Sequence, residues 1–385
     1  MELVAEKYKQ TEVGLIPSDW DVKRLVDVSE FSNGKAHEQS IDEDGDFVVV
    51  NSKFISTEGE IFKNSNQAIS PLAKGDITLV MSDIPNGKAL AKCYLIEIDN
   101  KYTLNQRICS IKTRVCDNVF LFYVLNRNKY FLSFDSGSGQ TNLRRNEVLD
   151  CPLAIPPTIA EQTAISTALS NIDELIAQTE KLIVKKIAIK QGVMQELLKP
   201  KEGWITKKLG EVCDVLDNLR KPLNDSERQS MKGDIPYCGA NGIVGFVNDF
   251  VIDDDIILMA EDGGYFDEYK TRPIAYQMNG KCWVNNHAHI LKSKKEYDQN
   301  FIFYSLVNKN ILDYINGGTR AKLNKGEMVN IILNIPQNIL EQTKIAKVFI
   351  DLSQNIAMFE TKLTKLKHQK QGMMQALLTG KIRLI

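Results

Sequence analysis

No stretch of this chain approaches ~18 consecutive apolar residues, so no membrane span is expected. Cysteine pairs of the C-x-x-C kind are missing as well. The seven cysteines (93, 109, 116, 151, 213, 238 and 282) are scattered and odd in number. That speaks against a disulfide framework or a structural zinc site and fits a reducing cytoplasm. The basic excess usual for a nucleic-acid binder is absent, because 48 Lys and Arg face 49 Asp and Glu for a net charge of −1. Local basic faces stay open. From Glu2 onward the first residues are charged and hold no apolar signal-peptide core, so no leader is expected.

Recognisable catalytic machinery is also missing. The Gly-Lys pairs at 34–35, 87–88, 280–281 and 380–381 lack the Ser or Thr that completes a P-loop. No G-x-G-x-x-G opens a strand-to-helix turn, and neither a G-x-S-x-G elbow nor an H-E-x-x-H helix occurs. Pro156-Pro157 lacks the flanking Asn or Asp and the aromatic residue of an amino-methyltransferase. The four histidines offer no triad. Chemistry, if any, belongs to partners. What is present is ordinary globular material, 43% apolar and 25% charged, over 385 residues that suggest two or three domains.

Self-comparison is more productive. A shift of 180 residues pairs Ile155-Pro156 with Ile335-Pro336, Glu161-Gln162-Thr163 with Glu341-Gln342-Thr343, and Gln191-Gly192 with Gln371-Gly372. It also pairs Met194-Gln195 with Met374-Gln375, Leu143 with Leu323 and Glu147 with Glu327. FLFY (120–123) meets FIFY (301–304) at 181, and Trp20, Leu25 and Val28 meet Trp204, Leu209 and Val212 at 184. A period this long is a duplicated domain-plus-helix, not a solenoid. The helical segments match closely, whereas residues 35–110 and 220–290 hardly resemble each other.

The uniform part reads as a long helix, over 159–198 and again over 339–378, ~60 Å each if straight. Thr158 with Glu161 has capping-box spacing, and Asn338 with Glu341 is its weaker counterpart. Lys199-Pro200 ends the first helix, and Gly380 suits the left-handed position after the second. Ile345, Phe349, Leu352, Ile356, Phe359, Leu363 and Leu366 recur at coiled-coil spacing. The first copy answers with Ile165, Leu169, Ile172, Ile176, Thr179 and Ile183, and Leu175, Leu182 and Ile189 add a stripe for a further neighbour. Two such helices joined by a domain pair most simply with each other, antiparallel; a homodimeric coil is the alternative. Gly192 and Gly372 inside the helices suggest a kink or a close backbone approach. From Thr361 to Ile385 there are six basic residues and no acid, which reads either as a solvated face or as a contact with an acidic partner or phosphates.

Short β-like runs fill the divergent parts: Phe47–Val50, Asp76–Met81 and Lys92–Ile98 in the first, Ile256–Met259, Ile274–Met278 and Ala288–Leu291 in the second. Aromatic helices are predicted near 120–131 and 301–315, each followed by a polar loop, SGSGQTNLRRNE (136–147) or NGGTRAKLNKGE (316–327). Gly N–H groups with Arg144, Arg145, Arg320, Lys322 and Lys325 suit phosphate or base-edge contact. Lys35, Lys88, Arg107, Arg220 and Lys221 are further candidates beside Asn or Gly. For each, an ordinary surface loop is the competing reading. His287-Ala288-His289 could suggest metal but lacks a third ligand; a structural role or a base contact of His287, with Asn286 beside it, fits better.

The assembled pattern resembles the specificity (S) subunit of type I restriction–modification enzymes. The resemblance rests on TEVGLIPSDWDVKRLVDV, on IPPTIAEQTAISTALSNIDELI with KQGVMQELL, and on IPQNILEQTKIAKVFIDL with KQGMMQALLTGKI. YCGANGIVG, AEDGG and WVNNHAHIL are similar to stretches of its target-recognition domains. The family implies an α+β fold with two target-recognition domains, two long antiparallel coiled-coil helices and a pseudo-two-fold repeat. The segments are then 1–155, first target-recognition domain; 156–200, first spacer helix; 201–335, second target-recognition domain; and 336–385, second spacer helix. It implies a non-catalytic, cytoplasmic subunit that reads a bipartite asymmetric site on double-stranded DNA. Two methyltransferase (M) subunits would dock on the helices, through Glu161, Gln162, Gln191, Met194, Glu341, Gln342, Gln371 and Met374, and restriction (R) subunits would complete the complex. S-adenosylmethionine, ATP and Mg would be used in those partners, and no cofactor or metal is expected on this chain. The competing class is a coiled-coil interaction scaffold that does not bind DNA itself.

Overall fold

The structure, a computed structural model, describes residues 7–84, 89–135, 137, 139–317 and 321–384. It divides into two compact units, Met1–Glu180 with Lys362–Ile385, and Lys181–Thr361. Compactness thus groups the chain differently from the four expected segments: each long helix gives one part to each unit.

In the first unit, β-branched and aromatic runs make two four-stranded sheets. One has the order Cys93–Leu95, Ile77–Val80, Ile108–Thr113, Ser29–Asn33, all antiparallel. Ile77–Val80 is buried throughout, as a central strand covered on both faces must be. The other has the order Asn64–Ser65, Phe47–Val50, Tyr102–Leu104, Pro71–Leu72, with its middle pair parallel.

The second unit repeats this order with different residues. Its first sheet is Ala275–Met278, Ile256–Ala260, Ala288–Ser293, Cys213–Val215. Its second is Gly242–Val247, Ile235–Gly239, Lys281–Val284, Ile252–Asp253, again with a parallel middle pair. So the segments with hardly any shared sequence share one topology. The expected strands end within three residues of the observed ones, and Phe47–Val50 coincides with its strand. The expected aromatic helices are shorter, at Asn118–Leu125 with Lys129–Leu132, and at Gln299–Leu306 with a single 3₁₀ turn at Leu312–Tyr314.

The long helices run Ile159–Leu197 and Ile339–Leu377. The Thr158 hydroxyl accepts from the Glu161 N–H at 3.2 Å, which is half of the expected capping box. Within the first unit Lys370 pairs with Asp173 at 2.6 Å and Lys367 with Glu180 at 2.8 Å. Numbers rise on one helix as they fall on the other, so these stretches run in opposite directions. In the second unit Lys186 lies 5.0 Å from the Phe359 ring centroid, and Met194 shares a buried cluster with Ile345, Ala346 and Phe349. Ile165, Leu169, Ile172, Thr179 and Ile183 are buried, whereas Leu175 and Ile189 of the second stripe are exposed. A Cβ built on Gly192 or Gly372 meets nothing within 4 Å, which overturns the close approach expected there. Gly380 has φ +68°, and a Cβ there would lie 2.4 Å from Pro17 Cγ, so glycine is required twice over.

Candidate nucleic-acid interface

In both units the same backbone stitches gather the loops around the central strand. The Arg107 carbonyl accepts from Met81 N–H at 3.0 Å, and the Met81 carbonyl accepts from Leu143 N–H at 2.7 Å. In the second unit His287 O accepts from Glu261 N–H at 2.9 Å, and Glu261 O from Leu323 N–H at 2.7 Å. Lys35 N–H donates to Leu104 O at 3.1 Å, and Lys221 N–H to Val284 O at 2.9 Å. Three separate candidate segments of the sequence therefore meet at one place in each unit: around Lys35, Arg107 and Arg144–Arg145 in the first, and around Lys221, His287 and Lys322–Lys325 in the second. Lys88 and Arg320 lie outside the described residues.

The side chains at these two places differ in kind. The first is largely uncharged. Ser82 Oγ donates to Asn142 Oδ1 at 2.6 Å, Gln140 Nε2 to Ser82 Oγ at 2.7 Å, and Thr141 Oγ1 to Asp135 Oδ1 at 3.0 Å. Lys35, Arg107, Arg144 and Arg145 are exposed around this network, with Arg107 held at φ +67° and Arg145 stacked 5.3 Å from the Phe31 centroid. Such a left-handed backbone is unusual for a residue with a side chain.

The second is an ion cluster. His289, 1% exposed, meets Asp217 Oδ2 through Nδ1 at 2.7 Å and donates from Nε2 to the Leu323 carbonyl at 2.8 Å. Arg220 pairs with Glu261 and, at 3.4 Å, with Asp217; Lys322 pairs with Glu261 at 2.9 Å. Burial alone would raise the Asp217 carboxyl, but hydrogen bonds from His289 and Ile290 N–H and the nearby His289 and Arg220 hold it below its ordinary value. Glu261 behaves likewise: burial opposes ionisation, and Arg220 and Lys322 outweigh it. Asp217, Glu261 and His289 have ligand atoms within 4.8 Å of one another. Arg220 and Lys322 already neutralise these carboxylates, and His289 spends Nε2 on a carbonyl, so a cation is not called for. The two histidines do not act together: His287, 42% exposed, has Nδ1 2.5 Å from Asp262 Oδ1.

Several expected roles change. Arg220 is 19% exposed and engaged on both sides, so it braces the loops instead of meeting a phosphate. Lys221, Asn286 and Lys325 are exposed. Gln162 is buried, accepting from Asp117 N–H at 2.9 Å and donating to Pro156 O at 3.1 Å; Gln342 repeats this with Asp298 N–H and Pro336 O, both at 2.8 Å. The matching Glu-Gln-Thr elements thus tie the aromatic helix to the long helix. Glu161 is buried against Arg383, and Glu341 accepts from Trp204 Nε1 at 3.1 Å. Met194 is core. A partner-facing role does not fit the buried Glu161, Gln162, Gln342 and Met194 or the half-buried, occupied Glu341, whereas Gln191 and Gln371 are exposed and Met374 half-buried. The basic C-terminal stretch is partly spent inside the unit, through Lys367, Lys370 and Arg383. Residue-by-residue reading missed Ser82, Asn142, Asp217 and Glu261. The 180-residue register, which pairs Met81 with Glu261 and Arg107 with His287, was the signal that could find them.

Among the described residues no helix is long and apolar enough to cross a membrane. The family model for the type I restriction modification DNA specificity domain matches twice, over residues 17–187 and 201–368. The type I restriction enzyme MjaIX specificity subunit of Methanocaldococcus jannaschii is 22% identical over 98% of this chain and 97% of its own length. A putative type I specificity subunit of Haemophilus influenzae is 35% identical over 40% of this chain and 38% of its own length. The crystal structure of a type I system S subunit from M. genitalium aligns over 97% of this chain and 98% of its own, with TM-score 0.67 at 17% identity. A chain from a study of complex assembly and conformational transition of the type I R–M system aligns over 95% and 99%, with TM-score 0.56 at 16% identity. With both repeats matched, the chain belongs to this DNA specificity family: it is a specificity subunit of a type I restriction–modification system.

Proposed function

We propose that each unit reads one half of a bipartite, asymmetric site on double-stranded DNA, through the loops stitched around Arg107 in the first unit and around His287 in the second. The carrying observation is that identical backbone bonds gather unlike side chains at equivalent positions. That is what two readers of different half-sites require: a common frame and separate chemistry. Lys35, Arg144, Lys221 and Lys325 would meet phosphates, and Arg107, Asn286 and His287 base edges. The near-zero net charge fits if docked subunits share the phosphate contacts.

The long helices pair as an antiparallel coiled coil that fixes the spacer and docks two methyltransferase subunits, with restriction subunits completing the assembly. Opposite-running ion pairs and the buried 4-3 stripe support this. S-adenosylmethionine, ATP and Mg would act in those partners. Methylome sequencing of a host expressing the chain with its methyltransferase subunit tests the reading, the expected result being one two-part motif with a fixed gap. Inserting seven residues, one heptad, into each long helix keeps the buried stripe in register and adds ~10 Å. A longer gap is expected; an unchanged gap overturns the spacer role.

A further inference from the structure

One ion pair of the first unit has lost its acid in the second. In the first, Lys370 lies 2.6 Å from Asp173 Oδ1, and Tyr123 donates its hydroxyl to Asp173 Oδ2 at 2.8 Å, with the ring 5.9 Å from the Lys370 ammonium. The 180-residue repeat places Lys190 at the position of Lys370 and Ser353 at that of Asp173, with Tyr304 of FIFY for Tyr123 of FLFY. Lys190 again stands over the tyrosine ring, 5.6 Å from its centroid, but Tyr304 Oη now meets Ser353 Oγ at 3.1 Å. Among the described residues Lys190 has no ion pair. Lys190, Tyr304 and Ser353 line a cavity of about 430 Å³ together with Gln191, Lys270 and Asn308, and none of its lining residues is acidic. Burial lowers Lys190 from its ordinary value, so the site disfavours an uncompensated ammonium.

We propose that this cavity is a carboxylate site, filled by an aspartate or glutamate side chain of a protein partner. The equivalent place in the first unit shows what fits: one carboxylate bridging a lysine and a tyrosine hydroxyl. That the carboxylate comes from a protein partner rests on the docking reading above; the carboxylate site itself does not. A DNA phosphate is the competing occupant, less suited to a pocket whose counterpart is built around a planar carboxylate.

The test follows acylation of Lys190 by an amine-reactive acetyl ester on the full-length chain, read by peptide mass spectrometry. Probes are acetate, inorganic phosphate, duplex DNA and the purified methyltransferase subunit. The subunit is expected to slow Lys190 labelling roughly tenfold or more, and Lys190→Met and Ser353→Asp are each expected to weaken association roughly tenfold. Ser353→Asp restores the internal acid and is expected to slow labelling in the chain alone. Unchanged labelling in a formed complex, or slowing by phosphate or DNA but not by the subunit, overturns the proposal. If the subunit does not associate with the unaltered chain, the docking reading fails, and acetate decides here: slowed labelling upholds the carboxylate site, and unslowed labelling sinks it.

Discussion

The two loop clusters share a backbone and almost nothing else. At the position where the first unit has Met81 the second has Glu261, and Asn142 is likewise answered by Lys322 and Cys109 by His289. Around Met81 the loops are held by hydroxyl and amide groups, Ser82, Asn142 and Gln140. Around Glu261 they are held by Arg220, Lys322, Asp217 and His289. A neutral network tolerates loss of a member, because each bond contributes only about 1 kcal/mol net. A half-buried ion cluster does not, since removing one charge strands its partners.

The largest difference should appear on Glu261→Gln, which leaves Arg220 and Lys322 without their shared carboxylate. A loss of about 3 kcal/mol in the second unit is expected, against about 1 kcal/mol for Ser82→Ala in the first. Denaturant unfolding followed by hydrogen exchange of each unit reads both, and equal losses would break the contrast. On DNA the sides should match. Arg107→Ala and His287→Ala are each expected to cost about 1–3 kcal/mol for one half-site and little for the other. Anisotropy titration of the assembled complex with either half scrambled checks this; if both half-sites weaken together, the assignment of one reader per unit is wrong.

Acid sharpens the contrast further. Asp217 and Glu261 both have folded values below their ordinary 3.8 and 4.5. Their stabilisation is therefore fully present above those ordinary values and is lost as pH falls through the lower folded ones. Amides at 217–220 and 322–323 should lose exchange protection between pH 4.5 and the acid limit, while those at 81–83 and 141–143 hold. The smallest effect belongs to Arg144→Ala, an exposed cation on the first unit's rim. It should weaken all sequences alike and reduce the slope of log affinity against log salt by about 1. A change in sequence preference would move Arg144 from phosphate to base contact.

Much of this was legible in the chain itself. The long helices announce their ends through Thr158, Asn338, Pro200 and Gly380, because capping and termination are local chemistry. Their buried stripe follows from spacing, because a helix face is set by 3.6 residues per turn. The candidate cations were legible only as residue types. Arg220 and Lys221 are neighbours in sequence, yet one is locked inside and the other exposed, and no local signal separates them. The family resemblance puts Glu161 and Gln162, which recur in both copies, at a docking surface. They recur because each copy needs the same internal ties, from Gln162 to Asp117 and Pro156, and from Gln342 to Asp298 and Pro336.

Sequence alone determined that the chain is a duplication, where its rods begin and end, and which halves were free to diverge, since all three follow from short-range pattern and self-similarity. Tertiary structure decided that the divergent halves share one sheet order, that three distant loops converge on a single strand end, and which charges are spent on each other. Those outcomes depend on contacts between residues far apart in the chain, whose geometry no local preference encodes.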